Sequence, residues 1–320
     1  MRTNLSGSLI VLFGGGGFIG RHVAQALLEQ GARVRLASRR PERAFALRPL
    51  ANLGQLQFAR CNILRESDLA ATLRGADGVV NLVGAFDGDV GWLMGQAPGT
   101  MARIAAAEGA TRFVHLSASA ADDAEHATGY ARAKALGERL VLDSFPTATI
   151  LRPTIVFGED DNFINMFARL IQLFKALPVF GPDAPLQLTY VGDVAEAATA
   201  ALLDPRAHGG ATYELGGPDT LTMMEINQRI ANAQRRRRLF VPVPDPVSGV
   251  FAAVPGTPMG KDQWAMLKAG AVLSGKLPGF AELGITPRPL DLFLSDWMTR
   301  YRRHGRFNER AGGQTPEYVR

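Results

Sequence analysis

The sequence predicts an α/β fold in which a doubly wound parallel sheet is joined to a smaller, mixed α/β domain on its C-terminal side. Between residues 8 and 158, short apolar runs alternate with amphipathic segments of about 10 to 15 residues, which is the pattern of βαβ units. After Gly158 the alternation stops, and the long amphipathic helix predicted over 162–178 has no strand directly behind it. This change of pattern predicts a second structural unit.

The elements of the first unit are predicted from hydrophobic periodicity and from glycine or cap residues at their ends. Strands are predicted over 8–13, 32–39, 56–63, 78–84, 112–119 and 148–158, and helices over 20–31, 66–75, 97–109 and 129–144. Two further stretches, 186–204 and 211–217, indicate a return to the sheet. Asp193 is predicted to cap the helix that follows it, which is a structural role.

The predicted domain boundaries follow from these elements. The first domain spans 1–158, and residues 186–217 return to its sheet. The smaller domain, for a substrate or a partner, is formed by 159–185 and 218–300, and a basic tail occupies 301–320.

Composition excludes several classes of protein. With 320 residues, 47% of them hydrophobic, the chain is long enough for one large or two coupled domains with a substantial core. Cys61 is the single cysteine and the five histidines lack metal-ligand spacing, so neither a disulfide framework nor a metal site is predicted. The apolar N-terminal stretch is shorter than a membrane span and runs into a helix. We expect a cytoplasmic protein, soluble or peripheral on the inner face of the cytoplasmic membrane.

The net charge of +5 is carried mainly by arginines in two clusters, 235–238 and 300–306. Such clusters are typical of a solvated helix face or tail, and they also suit an anionic membrane surface or an acidic partner. No zinc-finger or basic–aromatic pattern points to nucleic acid. Nothing in the sequence indicates the oligomeric state.

The stretch VLFGGGGFIGRHV, residues 11–23, places four glycines between a predicted strand and a predicted helix. Gly14, Gly17 and Gly20 have the spacing G-x-x-G-x-x-G, and Gly15 gives the form G-x-G-x-x-G with the last two. In this position the glycines allow a tight turn, approach of a pyrophosphate to the backbone, and close packing of helix on strand. The motif predicts a Rossmann-type dinucleotide-binding domain, in which the glycines, Phe18 and Ile19 contact the cofactor.

The end of the second predicted strand indicates which dinucleotide is bound. An acidic residue there would bind the adenosine ribose of NAD, whereas this chain has Ser38, Arg39 and Arg40, with no carboxylate before Glu42. Arginines can pair with a 2′-phosphate. The sequence therefore favours NADP(H) over NAD(H); the alternative is that one or both arginines only face solvent.

A candidate catalytic set follows the strand predicted over 112–119. Tyr130 and Lys134 lie four residues apart in a predicted helix and so share one face, while Ser117 ends the preceding strand. An ammonium group beside a phenol lowers the pKa of the phenol, which makes Tyr130 a candidate acid or base. Lys134 would also hold the nicotinamide ribose, and Ser117 would polarise a carbonyl.

The stretches GGGGFIG and YARAK, together with Ser117, resemble the extended or atypical short-chain dehydrogenase/reductases, a group that includes NAD-dependent epimerases and dehydratases. The resemblance covers residues 8–217. It implies an adenine contact at Asn62 and Ile63, where Asp is commoner than Asn62. It further implies cofactor contacts at Leu82, Val83 and Gly84 and nicotinamide contacts at Pro153, Thr154 and Ile155.

A narrower resemblance runs over nearly the whole chain. LRPTIVFGEDDNFINMFARL, KDQWAMLKAGAVLSGKLPGFAELGI and LDLFLSDWMTRYRR are similar to the nucleotide-binding accessory subunits of respiratory complex I and their bacterial relatives. This resemblance implies tightly held NADPH with a structural or regulatory role, and complex I subunits as partners.

Three functions remain open on the sequence. The narrower resemblance predicts an accessory protein, whereas the complete set of Ser117, Tyr130 and Lys134 would suffice for an NADP-dependent reductase or epimerase/dehydratase acting on a carbonyl, quinone-like or sugar-nucleotide substrate. An NADPH-sensing regulatory protein would use the same site. The apolar, proline-rich stretch 239–260 carries a single charge, Asp245, and either docks on a membrane or partner or lines a substrate cleft.

Overall fold

The computed structural model describes residues 4–85, 88–121, 128–244, 261–303 and 305, without the side chains of 261–263 and 266. Its strands are β1 Leu9–Phe13, β2 Arg33–Ser38, β3 Leu56–Arg60, β4 Gly78–Asn81, β5 Arg112–Leu116, β6 Thr149–Pro153, β7 Val156–Phe157, β8 Ala176–Phe180, β9 Pro185–Gln187, β10 Thr189–Tyr190, β11 Thr212–Leu215, β12 Thr220–Thr222 and β13 Leu239–Val243. Its α-helices are α1 Phe18–Glu29, α2 Glu66–Leu73, α3 Ala97–Ala107, α4 Gly129–Ser144, α5 Phe163–Leu173, α6 Val191–Leu203, α7 Pro205–His208, α8 Met223–Ala233, α9 Lys261–Ala269 and α10 Asp291–Trp297. Shorter 3₁₀ segments are Pro41–Leu50, Ala281–Leu283 and Met298–Tyr301, and a π-helical stretch, Gly91–Gln96, leads into α3.

Seven strands form one parallel sheet in the order β11-β6-β5-β4-β1-β2-β3. The sheet and its flanking helices confirm the predicted doubly wound α/β fold. The chain winds outward from β1 in both directions, which creates a point at the carboxyl edge between β1 and β4 where the strand order reverses.

Helices cover both faces of this sheet, so its central strands are apolar without alternation. Strand β1 (LIVLF) is fully buried. Its Ile10 and Leu12 pack into a core with α1 and α6, and its Val11 and Phe13 pack into a second core with α2, α3 and α4.

A third hydrophobic core draws on residues between Phe157 and Tyr301, including parts of α5, β8, α8 and α10. The predicted basic tail begins inside this packed region, because Tyr301 is buried there. No α-helix in the described part of the chain is long and apolar enough to cross a membrane.

Three predictions about elements after residue 148 are wrong in detail. The helix predicted over 162–178 ends at Leu173, and Ala176–Phe180 forms β8, because Pro178 is compatible with an edge strand and not with a helix interior. The strand predicted over 148–158 splits, since Val156–Phe157 leaves the main sheet to pair with Thr189–Tyr190. Of the returning segment 186–217, only Thr212–Leu215 joins the seven-stranded sheet.

Asp193 does not cap a helix. It lies in the first turn of α6, whose N-cap residue is Tyr190. Its buried carboxylate accepts hydrogen bonds from the backbone N–H and the Nε of Arg288, at 2.8 and 2.5 Å. Its role is still structural: it ties α6 to the segment before α10.

Candidate nucleotide site at the carboxyl edge of the sheet

The glycine motif forms the turn between β1 and α1. Gly14 has a φ of +80°, which L side chains rarely adopt, and its carbonyl oxygen accepts a hydrogen bond from Gly17 N–H at 3.0 Å. A Cβ on Gly20 would collide with the Gly14 carbonyl oxygen and lie 2.5 Å from Gly15 Cα. Gly17 is the N-cap residue of α1, so the unpaired N–H groups of the first helical turn face this turn.

Phe18 and Ile19 follow the turn in different surroundings. A Cβ on Gly158 would lie 2.9 Å from the Phe18 ring, so this ring packs against the backbone after β7. Ile19 packs against the first core. Both residues help to place the turn.

Ser38, Arg39 and Arg40 follow each other at the carboxyl end of β2. The Ser38 hydroxyl accepts a hydrogen bond from Arg40 N–H at 3.2 Å, and both arginine side chains are exposed. Glu42, the first carboxylate after them, lies 3.9 Å from Arg60.

The residues expected along the adenine and the cofactor end the neighbouring strands. Asn62 and Ile63 follow β3, and the Asn62 N–H donates to the Asp68 carboxylate at 2.9 Å. Leu82, Val83 and Gly84 follow β4; the backbone of Leu82 would lie 3.1 Å from a Cβ on Gly14. The strands thus bring both groups to the edge that carries the glycine turn.

Ser117 and Lys134 meet at the end of β5. The buried Lys134 side chain is 3% exposed, and its Nζ donates a hydrogen bond to the Leu116 carbonyl oxygen at 2.9 Å. Ser117 N–H donates to the Leu151 carbonyl oxygen on β6, whereas its buried Oγ has no hydrogen-bond partner. An unpaired buried hydroxyl is costly unless a ligand completes it.

Tyr130 lies one helical turn before Lys134, in the first turn of α4, which begins after the capping Thr128. Burial raises the pKa of Tyr130 to about 12. The expected lowering by Lys134 is therefore not found. Burial lowers the pKa of Lys134 itself to about 8, so this ammonium is weakened as a source of positive charge.

Glu138 and Arg152 lie behind Lys134 and were missed by the sequence reasoning. The buried Glu138 carboxylate accepts two hydrogen bonds from Arg152 Nε, at 2.9 and 3.1 Å, and one from Arg152 Nη2 at 2.5 Å. Its negative charge partly offsets the lowering of the Lys134 pKa by burial. The spacing of four residues from Lys134 was the available signal.

His115 and Asn81 form a second buried polar pair that was missed. Asn81 Oδ1 accepts from Val83 N–H at 3.1 Å, which turns the amide Nδ2 towards His115 Nδ1 at 3.0 Å. The amide nitrogen can only donate, so His115 Nδ1 accepts and Nε2 carries the hydrogen. That Nε2 is buried without a partner, and burial together with Lys134 holds the pKa of His115 well below its usual range.

Residues 153–155, at the end of β6, form several hydrogen bonds within the protein. Thr154 is buried, and its hydroxyl contacts the Gln187 carbonyl oxygen and Thr189 Oγ1, the latter at 2.7 Å. The Pro153 and Ile155 carbonyl oxygens accept from Ser119 and Thr189 N–H groups. These bonds hold the stretch beside β5, and its nicotinamide contact stays a prediction.

These residues fit a dinucleotide. The glycine turn admits no Cβ at Gly20, the first helical turn offers free N–H groups, and the buried Ser117 hydroxyl lacks a partner at the same edge. Among the described residues no group of three potential ligand side chains could hold a metal ion.

Comparison with known proteins agrees with this geometry. Residues 10–216 match the NAD dependent epimerase/dehydratase family. The chain belongs to this family. The fold is therefore that of an NAD(P)-binding epimerase-family protein.

This chain is also similar, over most of its length, to two mitochondrial proteins. It is 30% identical to NADH dehydrogenase (ubiquinone) 1 alpha subcomplex subunit 9 of Mus musculus, over 94% of this chain and 82% of that protein. It is 29% identical to the protein of the same name from Arabidopsis thaliana, over 95% of this chain and 80% of that protein. Among solved structures, Pal from Bacillus thuringiensis shares the fold, with a TM-score of 0.73 and 15% identity over 92% of this chain and all of the other.

Proposed function

We propose that this protein is an NADP(H)-binding accessory or assembly protein of a membrane NADH–quinone oxidoreductase, on the cytoplasmic face of the membrane. The observation that carries the proposal is the extent of the similarity to two complex I subunits, which includes the C-terminal unit as well as the nucleotide site. A shared nucleotide fold alone would leave the C-terminal unit free to differ.

The choice of NADP(H) rests on the charge around Ser38. Arg39 and Arg40 are exposed, and neither forms an ion pair with a described residue, so both guanidinium groups remain available for a 2′-phosphate. The first carboxylate, Glu42, faces Arg60. No acidic group competes for the adenosine ribose at the end of β2.

The remaining cofactor contacts are proposed from their position at the sheet edge. The turn at Gly14, Gly17 and Gly20 would bind the pyrophosphate, and Lys134 and Tyr130 would line the nicotinamide end. Burial raises the pKa of Tyr130 to about 12 and lowers the pKa of Lys134 to about 8, so at neutral pH the phenol is protonated and the lysine remains largely charged.

The unpaired Ser117 hydroxyl supports a second candidate, an NADP-dependent reductase or epimerase/dehydratase. When bound, the reduced nicotinamide supplies a hydride to a carbonyl carbon. Tyr130, protonated because burial raises its pKa, would donate a proton to the carbonyl oxygen, and Ser117 would hold that oxygen by a hydrogen bond.

Co-migration tests the first candidate. The chain is tagged, membranes are solubilised gently, and the protein is followed on a native gel beside NADH–quinone oxidoreductase activity. We expect co-migration, with bound NADPH that carbonyl substrates do not oxidise. A free protein that exchanges its nucleotide and reduces a carbonyl, with activity lost in Tyr130→Phe, would establish the second candidate instead.

Nucleotide titration tests the cofactor. We expect NADPH to bind at least tenfold more tightly than NADH, since a charge-assisted bond to a phosphate contributes about 1.5 to 3 kcal/mol. Arg39→Ala should remove most of this preference, while the matched Arg65→Ala, also exposed, should leave it unchanged. Unchanged NADPH affinity in Arg39→Ala would exclude this residue from the site.

A further inference from the structure

The two-stranded parallel sheet of β8 and β13 has an apolar face turned to solvent. In β8, Leu177 and Val179 are buried in the third core, while Ala176 and Pro178 are exposed. Leu239 pairs with Ala176 and Val241 with Pro178, so these four side chains share the outer face of the sheet. Sheets with one solvated face usually carry polar residues on it, and this face carries none.

Two more apolar side chains extend the surface. Leu173 ends α5 and is 73% exposed, and Phe174 follows it and is more than half exposed; Leu239, across the sheet, is 64% exposed. We call Leu173, Phe174, Ala176, Pro178, Leu239 and Val241 the apolar face. Contiguous exposed apolar surface of this kind marks an interaction site.

The charged side chains within the two stretches that form the apolar face are all positive. The stretches 163–182 and 226–244, which build this part of the molecule, contain no Asp or Glu. Arg169, Lys175 and Arg237 are exposed and form no ion pair with a described residue. These uncompensated charges belong to the same two stretches as the apolar face.

The four arginines at 235–238 divide into two pairs. Arg236 donates to the Tyr301 carbonyl oxygen at 3.1 Å and Arg238 to the Ile171 carbonyl oxygen at 2.6 Å, so both anchor β13 to the third core. Arg235 and Arg237 alternate with them and are exposed. The cluster therefore both fixes the small sheet and presents cations beside its outer face.

We propose that the apolar face and its surrounding cations bind the surface of an anionic phospholipid bilayer. This inference deepens the membrane location in the proposed function and rests on it. Apolar side chains buried at the headgroup boundary and Lys or Arg facing anionic headgroups are the two contributions that hold peripheral proteins on membranes. A second copy of the chain would bring the same positive charges together, which opposes self-association.

Vesicle sedimentation of the purified full chain tests the inference. We expect binding to vesicles that contain phosphatidylglycerol, little binding to phosphatidylcholine alone, and release as salt screens the charges. Leu173→Gln/Leu239→Gln should lower the partition coefficient about tenfold or more. Lys175→Gln/Arg237→Gln should lower it about fivefold for each cation removed.

Matched variants control for general effects. Leu53→Gln/Leu64→Gln changes two exposed leucines elsewhere, and Arg65→Gln/Arg206→Gln removes two exposed arginines elsewhere; both should bind vesicles as the wild type does. NADPH binding in every variant reports an intact fold.

Three results would overturn the inference: no binding to phosphatidylglycerol vesicles, equal binding to neutral vesicles, or wild-type binding by the apolar-face variants. Binding to native membranes without binding to protein-free vesicles would assign the surface to a protein partner. If vesicle binding fails while the protein still co-migrates with the oxidoreductase and holds NADPH, the docking inference fails and the proposed function stands. Vesicle binding without co-migration would contradict the proposed function instead.

Discussion

The carboxyl end of β5 buries polar side chains, whereas the outer face of the β8–β13 sheet exposes apolar ones. At β5, His115, Ser117 and Lys134 are almost fully buried, and two of them contain an atom without a hydrogen-bond partner. On the small sheet, Leu173 and Leu239 are mostly exposed. Each arrangement costs free energy in the isolated chain, so each is a place where we expect a ligand or a partner to bind.

The two regions also differ in how firmly the fold supports them. His115 and Ser117 lie on or directly after β5 in the seven-stranded sheet, where hydrogen bonds join them to β4 and β6, and Lys134 on α4 is bonded to β5. The apolar face lies on a two-stranded sheet anchored by Arg236 and Arg238. Changes at β5 should therefore affect stability most, and changes on the apolar face should affect association most.

Among the polar groups near β5, the largest expected effect on stability is at Glu138. Glu138→Gln should lower the free energy of unfolding by about 3 kcal/mol, because it leaves the buried Lys134 and the half-buried Arg152 without their carboxylate. Urea denaturation measures the loss. Glu66→Gln, which breaks an exposed pair with Arg103, should cost no more than about 1 kcal/mol. Equal losses in the two variants would mean that burial does not strengthen the first pair.

The second effect is a pH dependence that Lys134 produces. Its pKa is near 8 in the folded protein and at the ordinary 10.5 when unfolded, so between these values the unfolded chain binds more protons. Folding stability should therefore rise with pH across this window, by about 2 kcal/mol between pH 8 and 10, and not fall. In Lys134→Met this rise should be absent.

Comparing the unfolding curves of the wild type and Lys134→Met isolates the contribution of Lys134 to the pH dependence of stability. Burial raises the pKa of Tyr130 and of Cys61, and both groups lower stability at high pH. Because both are present in the two proteins, their contributions cancel in the difference. A difference between wild type and Lys134→Met that stays constant from pH 8 to 10 would show that Lys134 titrates normally.

The sheet and the glycine turn could be predicted because both depend on local patterns. The order of βαβ units follows from hydrophobic periodicity, and Gly14, Gly17 and Gly20 are recognisable from their spacing between a strand and a helix. The prediction of a helix over 162–178 was wrong at its C-terminal end, because the apolar residues there fit the pattern of a strand as well as that of a helix. What decides the strand Ala176–Phe180 is its pairing with Leu239–Val243, far along the chain.

The electrostatics of the site could not be predicted for a similar reason. Tyr130 and Lys134 were identified by their spacing, but the direction of the Tyr130 pKa depends on how deeply α4 packs. In the sequence, His115 is a single polar residue within an apolar strand. Only the structure shows that Asn81, on the neighbouring strand, orients the His115 ring by a hydrogen bond. The apolar face is likewise defined only by the register of β8 against β13.

A smaller effect on stability is expected at Asn81. Asn81→Ala removes the donor to His115 Nδ1 and the acceptor for Val83 N–H, which should cost about 2 kcal/mol in urea denaturation. The double variant Asn81→Ala/His115→Phe should recover part of this loss, because no unpaired imidazole nitrogen remains. Additive losses in the double variant would show that the two side chains do not act as a pair.

The smallest effect on stability is expected from Leu173→Ala at the exposed end of α5, and it contrasts with the effect of a buried leucine on β8. Leu177 is 4% exposed on the inner face of β8, and Leu177→Ala should cost about 3 kcal/mol through lost burial and a cavity. Leu173→Ala, four residues earlier and mostly exposed, should change stability by less than about 0.5 kcal/mol. Vesicle binding should rank them the other way, with Leu173→Ala weakened and folded Leu177→Ala unchanged. A surface kept apolar only to stabilise the fold would lose stability in both variants, whereas a binding surface separates stability from association.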